Sequence, residues 1–291
     1  MLKRIKLYME MIKVEHTVFA LPFALTSSLI AANGFPILYQ IFWIVLALFG
    51  ARTAAMSLNR LIDAEIDAKN PRTADRHIPK GLVKKTEAAL LAIVGFLLMV
   101  FSAYKLNPLA LKLSPIAIFV LVLYSFTKRF TYLCHIVLGI AVALAPLGAW
   151  VAVKGDVSLS AILISLSVAL WVAGFDIIYA LQDVEFDRRE GLYSIPAVLG
   201  EEKALILSKL FHLLTLLALI TVGILENLGL FYYLGLVMSA ILMAKEHRII
   251  SKDRSKIDYA FFNLNGYISL TIFFFTMLNY IWKIEWSFSS I

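Results

Sequence analysis

The sequence predicts an all-α, polytopic membrane protein. Of its 291 residues, 61% are hydrophobic and only 16% are charged, and the mean hydropathy is +0.84, values far outside those of a soluble globular domain. Apolar runs of about 20 residues, long enough to cross a hydrocarbon core as helices, recur along the chain. No linker or change of composition divides them, so we expect a single domain, 1–291. The runs predict about nine spans, at 15–33, 37–62, 87–105, 108–126, 133–153, 158–181, 204–224, 228–245 and 259–282.

The basic residues predict how these spans are oriented. With the N-terminus in the cytoplasm, the cytoplasmic segments hold most of the Lys and Arg, and the opposite side holds only Lys105, Lys112, Lys154 and Lys283. This asymmetry follows the positive-inside rule and predicts a multi-pass protein of the cell's inner, cytoplasmic membrane. Topology and attraction to anionic membrane lipid explain the formal net charge of +7, so no nucleic-acid site is predicted. Orientation signals alone also explain the basic clusters.

Several other classes of site are excluded by composition. The single cysteine, Cys134, cannot form an internal disulfide, and no cysteine–histidine cluster indicates a soft-metal site. No glycine-rich phosphate loop supports nucleotide-driven transport. The first apolar run is a full span without a cleavage motif, so we expect no cleavable signal peptide. Nothing in the sequence predicts an obligate protein partner.

A first acidic motif ends the second predicted span. Asn59, Asp63 and Asp67 are spaced four residues apart, which places their side chains on one face of a helix. Ionised groups at a membrane boundary are costly unless they are paired, hydrated or bound to a cation. Arg52 lies about two turns deeper on the same stripe and should face the bundle interior. It either pairs with an acid there or contacts the substrate or the acidic site.

A second acidic motif ends the sixth predicted span. Asp183 and Asp187 are one turn apart at the same side of the membrane, and Asp176 lies two turns deeper. We expect the two motifs to serve one divalent-cation site. Oxygen donors select hard cations, and Mg²⁺ is the usual companion of phosphate.

The longest polar segment, 64–86, follows the first motif and contains Arg72 and Arg76. Acids and arginines this close together suit a metal-bridged polyphosphate, because arginine forks bind phosphate oxygens that the metal leaves free. A solvated basic loop is the alternative. The economical hypothesis is a diphosphate at the cytoplasmic face whose organic part, such as a long isoprenoid, lies in the apolar bundle.

Other polar residues carry weaker signals. His16, in the first span, either orients a polar ligand or caps the interfacial end of its helix. Tyr124 and Lys128 end the fourth span in what is, taken alone, an ordinary snorkelling arrangement. Asn263 and Asn265, early in the ninth span, either face a cavity or hydrogen-bond between helices.

Four motifs together resemble the UbiA-type intramembrane aromatic prenyltransferases. They are Asn59-x3-Asp63-x3-Asp67, Asp183-x3-Asp187, Tyr124-x3-Lys128 and the Asn-Pro-Arg-Thr-x2-Arg stretch at 70–76. The resemblance covers essentially the whole chain, and the run 174–183 is particularly similar to the 4-hydroxybenzoate polyprenyltransferase branch and its relatives in menaquinone synthesis. His77 departs from the pattern, because many relatives have proline there.

The resemblance implies a fold of nine spans around a central cavity and a reaction between two substrates. An allylic polyprenyl diphosphate would ionise, and a ring carbon of an aromatic acid would attack the allylic cation. Two Mg²⁺ ions would bridge the diphosphate to the acids, with Asn59, Asp63, Asp67, Asp183 and Asp187 as metal-binding residues and the four aspartates as catalytic residues. The diphosphate would contact Asn59, Arg72, Arg76, Tyr124, Lys128 and Arg188, and the aromatic acceptor would contact His16, Arg52 and Asp176.

Three alternatives stay open at this stage. A menaquinone-pathway enzyme would use a naphthoate-type acceptor at the same site. CDP-alcohol phosphotransferases also use clustered aspartates and Mg²⁺, but their motif is absent from this sequence. An ion-coupled transporter that uses Arg52 and Asp176 predicts half-helices at mid-membrane, whereas the acids here lie at one face.

Overall fold

The computed structural model describes the backbone of residues 2–289 and the side chains of residues 3–283. Within these residues the regular structure is entirely helical, which confirms the predicted fold class. The helices are α1 (Leu2–Met11), α2 (Thr17–Ala32), α3 (Leu38–Ile62), α4 (Ala64–Lys69), α5 (Lys85–Leu106), α6 (Pro108–Thr127), α7 (Cys134–Lys154), α8 (Leu159–Tyr179), α9 (Val184–Glu190), α10 (Ile195–Leu199), α11 (Glu201–Leu225), α12 (Leu230–Lys252), α13 (Ile257–Tyr259) and α14 (Asn265–Ser289).

Eight helical segments among the described residues are long and apolar enough to cross a membrane. They correspond to eight of the nine predicted spans and make this a multi-pass membrane protein. The remaining predicted span, 228–245, does form a helix, α12, but that helix ends in a charged stretch that begins at Lys245. The count of nine is therefore not confirmed by length and composition.

Local sequence explains where the central helices begin and end. Asn107 accepts a hydrogen bond from the Ala110 amide (2.9 Å) and Pro108 follows it, a favourable start for α6. The Ser158 hydroxyl caps α8 by accepting from the Ala161 amide (3.2 Å). Helix α7 ends at Gly155, whose φ of 73° suits a residue without a side chain.

Glycines let two pairs of helices pack closely. A Cβ atom on Gly50 of α3 would lie 2.7 Å from the carbonyl oxygen of Gly95 on α5. A Cβ atom on Gly139 of α7 would lie only 2.1 Å from the carbonyl oxygen of Ala169 on α8. Small residues at such contacts are how membrane helices maximise van der Waals packing, since lipid is as apolar as the side chains.

The helices surround a central cavity of about 670 Å³, as the family resemblance implied. Helices α2, α3, α6, α7 and α8 line it, and a π-helical turn at Ala260–Leu264 contributes Phe261. Asn265, directly after this turn, donates to Glu246 (2.8 Å) and accepts from Trp171 (2.9 Å). Of the two predicted roles for Asn265, the structure therefore shows the interhelical hydrogen bond.

Candidate active site

A small polar pocket of about 170 Å³ joins the central cavity at one end of the bundle. We call this the basic end; it is formed by α1, the loop 70–84 and the segment from α9 to α10. The central cavity has a mostly apolar lining and the pocket a mostly polar one, so the combined space is polar at one end and apolar along its length. The residues that line both spaces are Asn59, Arg72, Thr73, Arg76, Tyr124, Asp176 and Tyr179.

The first acidic motif lies in the pocket wall, almost out of contact with solvent. Asp63 and Asp67 are each 2% exposed, because the chain turns at Asp63 between α3 and α4 and points both side chains inward. Asp63 accepts hydrogen bonds from Lys128 Nζ (2.6 Å), Arg129 Nη2 (2.9 Å) and Asn59 Nδ2 (3.0 Å). Arg76 Nη1 donates to both Asp67 oxygens, at 2.7 and 2.8 Å. Buried carboxylates with this many partners avoid most of the cost of an unpaired charge.

The second acidic motif faces the first across the same pocket. Asp183 ends a 3₁₀ turn after α8, and Asp187 lies on α9. Arg72 forms a forked ion pair with Asp183, with Nε donating at 2.9 Å and Nη2 donating to the other oxygen. Arg72 Nη1 also donates to the Tyr179 hydroxyl (2.8 Å). Burial opposes the charge of Arg72, but the hydrogen bonds to Asp183 and Tyr179 outweigh it and raise the Arg72 pKa above its ordinary value.

The loop after the first motif is ordered by its own side chains. Asn70 Oδ1 accepts from the Arg72 amide (3.0 Å), an Asx turn, while Asn70 Nδ2 donates to Asp183 (2.9 Å). The Thr73 hydroxyl donates to the Asp67 carbonyl oxygen (3.1 Å). The loop thus connects the two acidic walls, and the alternative of a merely solvated basic loop is wrong for Arg72 and Arg76.

His77, the departure from the family pattern, closes the same loop. Its carbonyl oxygen accepts from the amides of Leu82 (2.9 Å) and Val83 (3.1 Å), and its ring lies 3.8 Å from Glu10 of α1. Burial lowers the pKa of the His77 ring below its ordinary value. The histidine therefore holds the loop through main-chain bonds that a proline at 77 could also accept.

Arg52 and Asp176 do not pair with each other, so the structure does not support the alternative in which Arg52 pairs with this acid of the bundle. Arg52 lines the central cavity and donates to the main-chain oxygens of Ile12 (3.3 Å) and Lys13 (3.0 Å), because the segment after α1 passes over it. Asp176 instead accepts from His135 Nδ1 (2.7 Å) on α7.

The structure places one of two further predicted site residues, His16, in the cavity wall and the other, Arg188, outside the pocket. His16 lines the cavity beside aromatic rings, with centroid distances of 5.3 Å to Phe262 and 5.6 Å to Phe261. Arg188 is exposed and donates to the Ala197 carbonyl oxygen (3.0 Å), and it does not line the pocket. It follows Asp187 directly on α9, so the helix turns it about 100° away from the acid's direction. The structure gives no support to the prediction that Arg188 binds the diphosphate.

Sequence reasoning missed several residues of the site. Arg129 follows Lys128 directly and was not predicted to take part, although both contact Asp63. Asn70 and Tyr179 lie within recognised motif stretches and bind Asp183 or its arginine. His135 gave no signal beyond being a polar residue in the first turn of a predicted span.

A model of the UbiA prenyltransferase family matches residues 20–278. The chain belongs to the UbiA prenyltransferase family. A curated relative named 4-hydroxybenzoate octaprenyltransferase, from Aeromonas hydrophila, is 33% identical over 256 residues, 87% of this chain and 88% of the relative. A protein of the same name from Vibrio cholerae is 34% identical over 249 residues, 84% of this chain and 86% of the relative.

Solved structures of UbiA homologues share the fold. The apo structure of a homologue from Aeropyrum pernix K1 is 34% identical, with a TM-score of 0.83, and covers 91% of this chain and 98% of its own. A homologue from Archaeoglobus fulgidus bound to GPP and Mg²⁺ is 19% identical, with a TM-score of 0.70, and covers 93% of this chain and 99% of its own. This membership favours an enzyme over the ion-coupled transporter and the CDP-alcohol phosphotransferase.

The acids fit a hard cation by donor chemistry, although their present partners are basic side chains. Among the described residues, no group of three or more His, Cys, Asp or Glu side chains converges closely enough to hold a metal by itself. The two motifs instead present carboxylate oxygens on facing walls of one pocket, with the amide oxygens of Asn59 and Asn70 beside them. Such a divided oxygen set suits Mg²⁺, which keeps several waters and binds through few carboxylates together with substrate phosphates.

Proposed function

We propose that this protein transfers a polyprenyl group from an allylic polyprenyl diphosphate to an aromatic acid, 4-hydroxybenzoate in the first instance, in a Mg²⁺-dependent step of respiratory quinone synthesis. The observation that carries the proposal is the continuous space that is acidic and basic at one end and apolar along its length. A donor with a diphosphate head and a hydrocarbon tail matches that division. The names of the curated relatives support the choice of acceptor.

The diphosphate would bind in the polar pocket. Asp63, Asp67, Asp183 and Asp187 would hold Mg²⁺, which supplies Lewis-acid stabilisation of the departing diphosphate when bound. Arg72, Arg76 and Lys128 now form ion pairs with three of these acids: Asp183, Asp67 and Asp63 respectively. They would be available to phosphate oxygens where the acids hold a cation. The Mg²⁺-bound homologue supports metal dependence in a protein of this fold.

The apolar cavity would hold the prenyl chain and keep water from the reacting carbon. Phe261, which lines the central cavity, stacks with ring centroids 4.1 Å apart on Tyr179, which lines both the cavity and the polar pocket. Aromatic faces tolerate a nearby cation, and a dry wall protects an allylic cation from capture by water.

The acceptor would lie beyond the diphosphate, toward Arg52, Asp176 and His16. All three line the central cavity. Arg52 has the fork geometry that suits a carboxylate, and Asp176 has an oxygen suited to a hydroxyl. The excess of Lys and Arg at the basic end supports a site that opens to the cytoplasm from the inner membrane.

The direct test is product analysis with purified protein in detergent. Mg²⁺, a polyprenyl diphosphate and a panel of aromatic acids, including 4-hydroxybenzoate and a dihydroxynaphthoate, are incubated with wild-type protein and read by mass spectrometry. We expect a C-prenylated 4-hydroxybenzoate that disappears when Mg²⁺ is chelated. Transfer to the naphthoate alone would redirect the proposal to a menaquinone pathway, and no transfer to any acid would refute it.

A further inference from the structure

A buried histidine–aspartate pair lies at the junction of the polar pocket and the central cavity. His135 is 3% exposed and its Nδ1 is 2.7 Å from Asp176 Oδ2. Asp176 lines both spaces, whereas His135 lines only the polar pocket. In this pair Asp176 faces both spaces, and His135 contacts it from the side of the polar pocket.

Close helix packing fixes the pair. His135 and Gly139 are one turn apart on α7, and the Gly139 contact with Ala169 brings α7 against α8. Asp176 lies two turns along α8 from Ala169. Because no side chain separates the helices at Gly139, the imidazole reaches the carboxylate without an intervening group.

The hydrogen-bond inventory gives the direction of this contact. Among the described residues, His135 Nε2 is buried without a hydrogen-bond partner. A proton there would have no acceptor, and an ionised carboxylate can only accept, so Nδ1 carries a proton and donates to Asp176. Asp176 Oδ2 is thereby engaged, and no described side chain donates a hydrogen bond to Oδ1, which leaves Oδ1 available to a ligand.

We propose that His135 is a positioning residue that holds Asp176 so that Oδ1 accepts a hydrogen bond from the phenolic hydroxyl of the acceptor. This inference rests on the proposed function and names the hydroxyl-recognition element of the same site. The hydroxyl becomes more acidic as positive charge develops on the attacked ring. The bond to a fixed carboxylate therefore strengthens toward the transition state and raises turnover rather than binding alone.

Substitutions at His135 distinguish the loss of its hydrogen-bond donor from a change in side-chain volume. His135→Asn places an amide nitrogen where Nδ1 now lies and should stay within a few-fold of wild type, whereas His135→Leu keeps volume but removes the donor. We expect His135→Leu to lower kcat with 4-hydroxybenzoate by about 10²-fold, the scale of losing one oriented charge-stabilising group. Asp176→Asn should be at least as impaired, and the double variant Asp176→Asn/His135→Leu no worse than Asp176→Asn, because His135 acts through Asp176.

The decisive readout is the preference for 4-hydroxybenzoate over 4-methoxybenzoate, which has no hydroxyl proton to donate. Wild type and His135→Asn should prefer the hydroxyl strongly, and His135→Leu should lose most of that preference. His212→Leu is the matched control, because His212 is equally buried at 3% exposure but contacts His247 instead of the site. It should keep the wild-type preference.

Folding is checked by binding of a non-cleavable polyprenyl thiolodiphosphate with Mg²⁺, which each variant should retain. An unchanged preference in a His135→Leu protein that binds this analogue would overturn the inference. Equal losses in folded His135→Asn and His135→Leu would overturn it too. If the leucine variant does not fold, loss of the preference in folded His135→Asn, which keeps the donor, overturns it. Failure of wild type to prenylate either acid would instead refute the proposed function on which the inference rests.

Discussion

The two acidic motifs look alike in the sequence but differ in the structure. Asp63 and Asp67 are sealed into the wall, each 2% exposed, and Asp63 carries two basic partners from the end of α6. Asp183 has a side chain that is 17% exposed, and its partners, Arg72 and Asn70, both come from the loop that follows the first motif.

The difference shows that the first motif and its loop organise both walls. Arg72 reaches across the pocket to Asp183 of the second motif. Arg76, four residues later in the loop, pairs with Asp67 of the first motif. Lys69 also crosses, pairing with Glu190 at 3.0 Å. The second motif is thus positioned by residues of the first half of the chain, whereas the first motif depends on no residue of the second half among these pairs.

The largest expected effect is on activity, and it should be the same for both motifs. Asp63→Asn and Asp183→Asn should each lower turnover by roughly 10²-fold or more, because each removes an oxygen needed to stabilise the leaving diphosphate. Steady-state kinetics at saturating Mg²⁺ measures this. Near-normal transfer by either variant would break the idea of one shared site.

Stability should distinguish the same two variants. Asp63→Asn replaces an almost fully buried carboxylate that serves two partly buried cations, Lys128 and Arg129, so its cost should approach the scale of a broken buried pair, about 3–5 kcal/mol. Asp183→Asn replaces a more exposed carboxylate that serves one partly buried cation, Arg72, and should cost less. Thermal unfolding in detergent compares them, and equal or reversed losses would contradict the contrast between the two walls.

Arg76 and Lys128 should affect the donor more than the acceptor. Arg76→Met and Lys128→Met remove charges placed to meet phosphate oxygens, so the KM for polyprenyl diphosphate should rise by about tenfold or more. The KM for 4-hydroxybenzoate should change little. If the acceptor's KM alone changed, these residues would belong to the other compartment.

Arg52 should have a smaller and more selective effect. Arg52→Lys replaces a planar fork with a point charge, so discrimination between 4-hydroxybenzoate and its amide should fall by about tenfold. The competing role is to tether the segment at Ile12 and Lys13. A tether would lower activity with the acid and the amide alike, and an unchanged preference in a folded variant would count against the carboxylate clamp.

The smallest effect is expected at Arg188. Arg188→Ala removes an exposed side chain whose contact is the Ala197 carbonyl oxygen, so activity should stay within about twofold of wild type, as for most surface substitutions. The KM for the donor is the value to measure. A tenfold rise in the KM for the donor would show that Arg188 does contribute to diphosphate binding.

Most of the fold and the residues of the acidic motifs could be predicted from the sequence, but the partners of those residues could not. Apolar length predicted eight of the spans, because it depends on local helix geometry. Four-residue spacing predicted that Asn59, Asp63 and Asp67 share one helix face; all three line the polar pocket, although the chain turns at Asp63 between α3 and α4. Partner choice could not be predicted in the same way. Whether Asp176 meets Arg52 or His135 depends on helix rotation and on the Gly139 contact, which are set by tertiary packing.

The same reason explains why the structure does not support the prediction that Arg188 binds the diphosphate. Arg188 is next to Asp187, but adjacent residues on a helix point in different directions. Arg129 is the opposite case, because a residue next to Lys128 reaches the same carboxylate where α6 has ended and the chain turns.

The most direct test of one site built from both motifs is calorimetric titration with the polyprenyl thiolodiphosphate in the presence of Mg²⁺. The account predicts one binding site per chain, its loss in Asp63→Asn and in Asp183→Asn separately, and no further loss in the double variant. Full-strength binding by either single variant, or two sites lost one at a time, would contradict it.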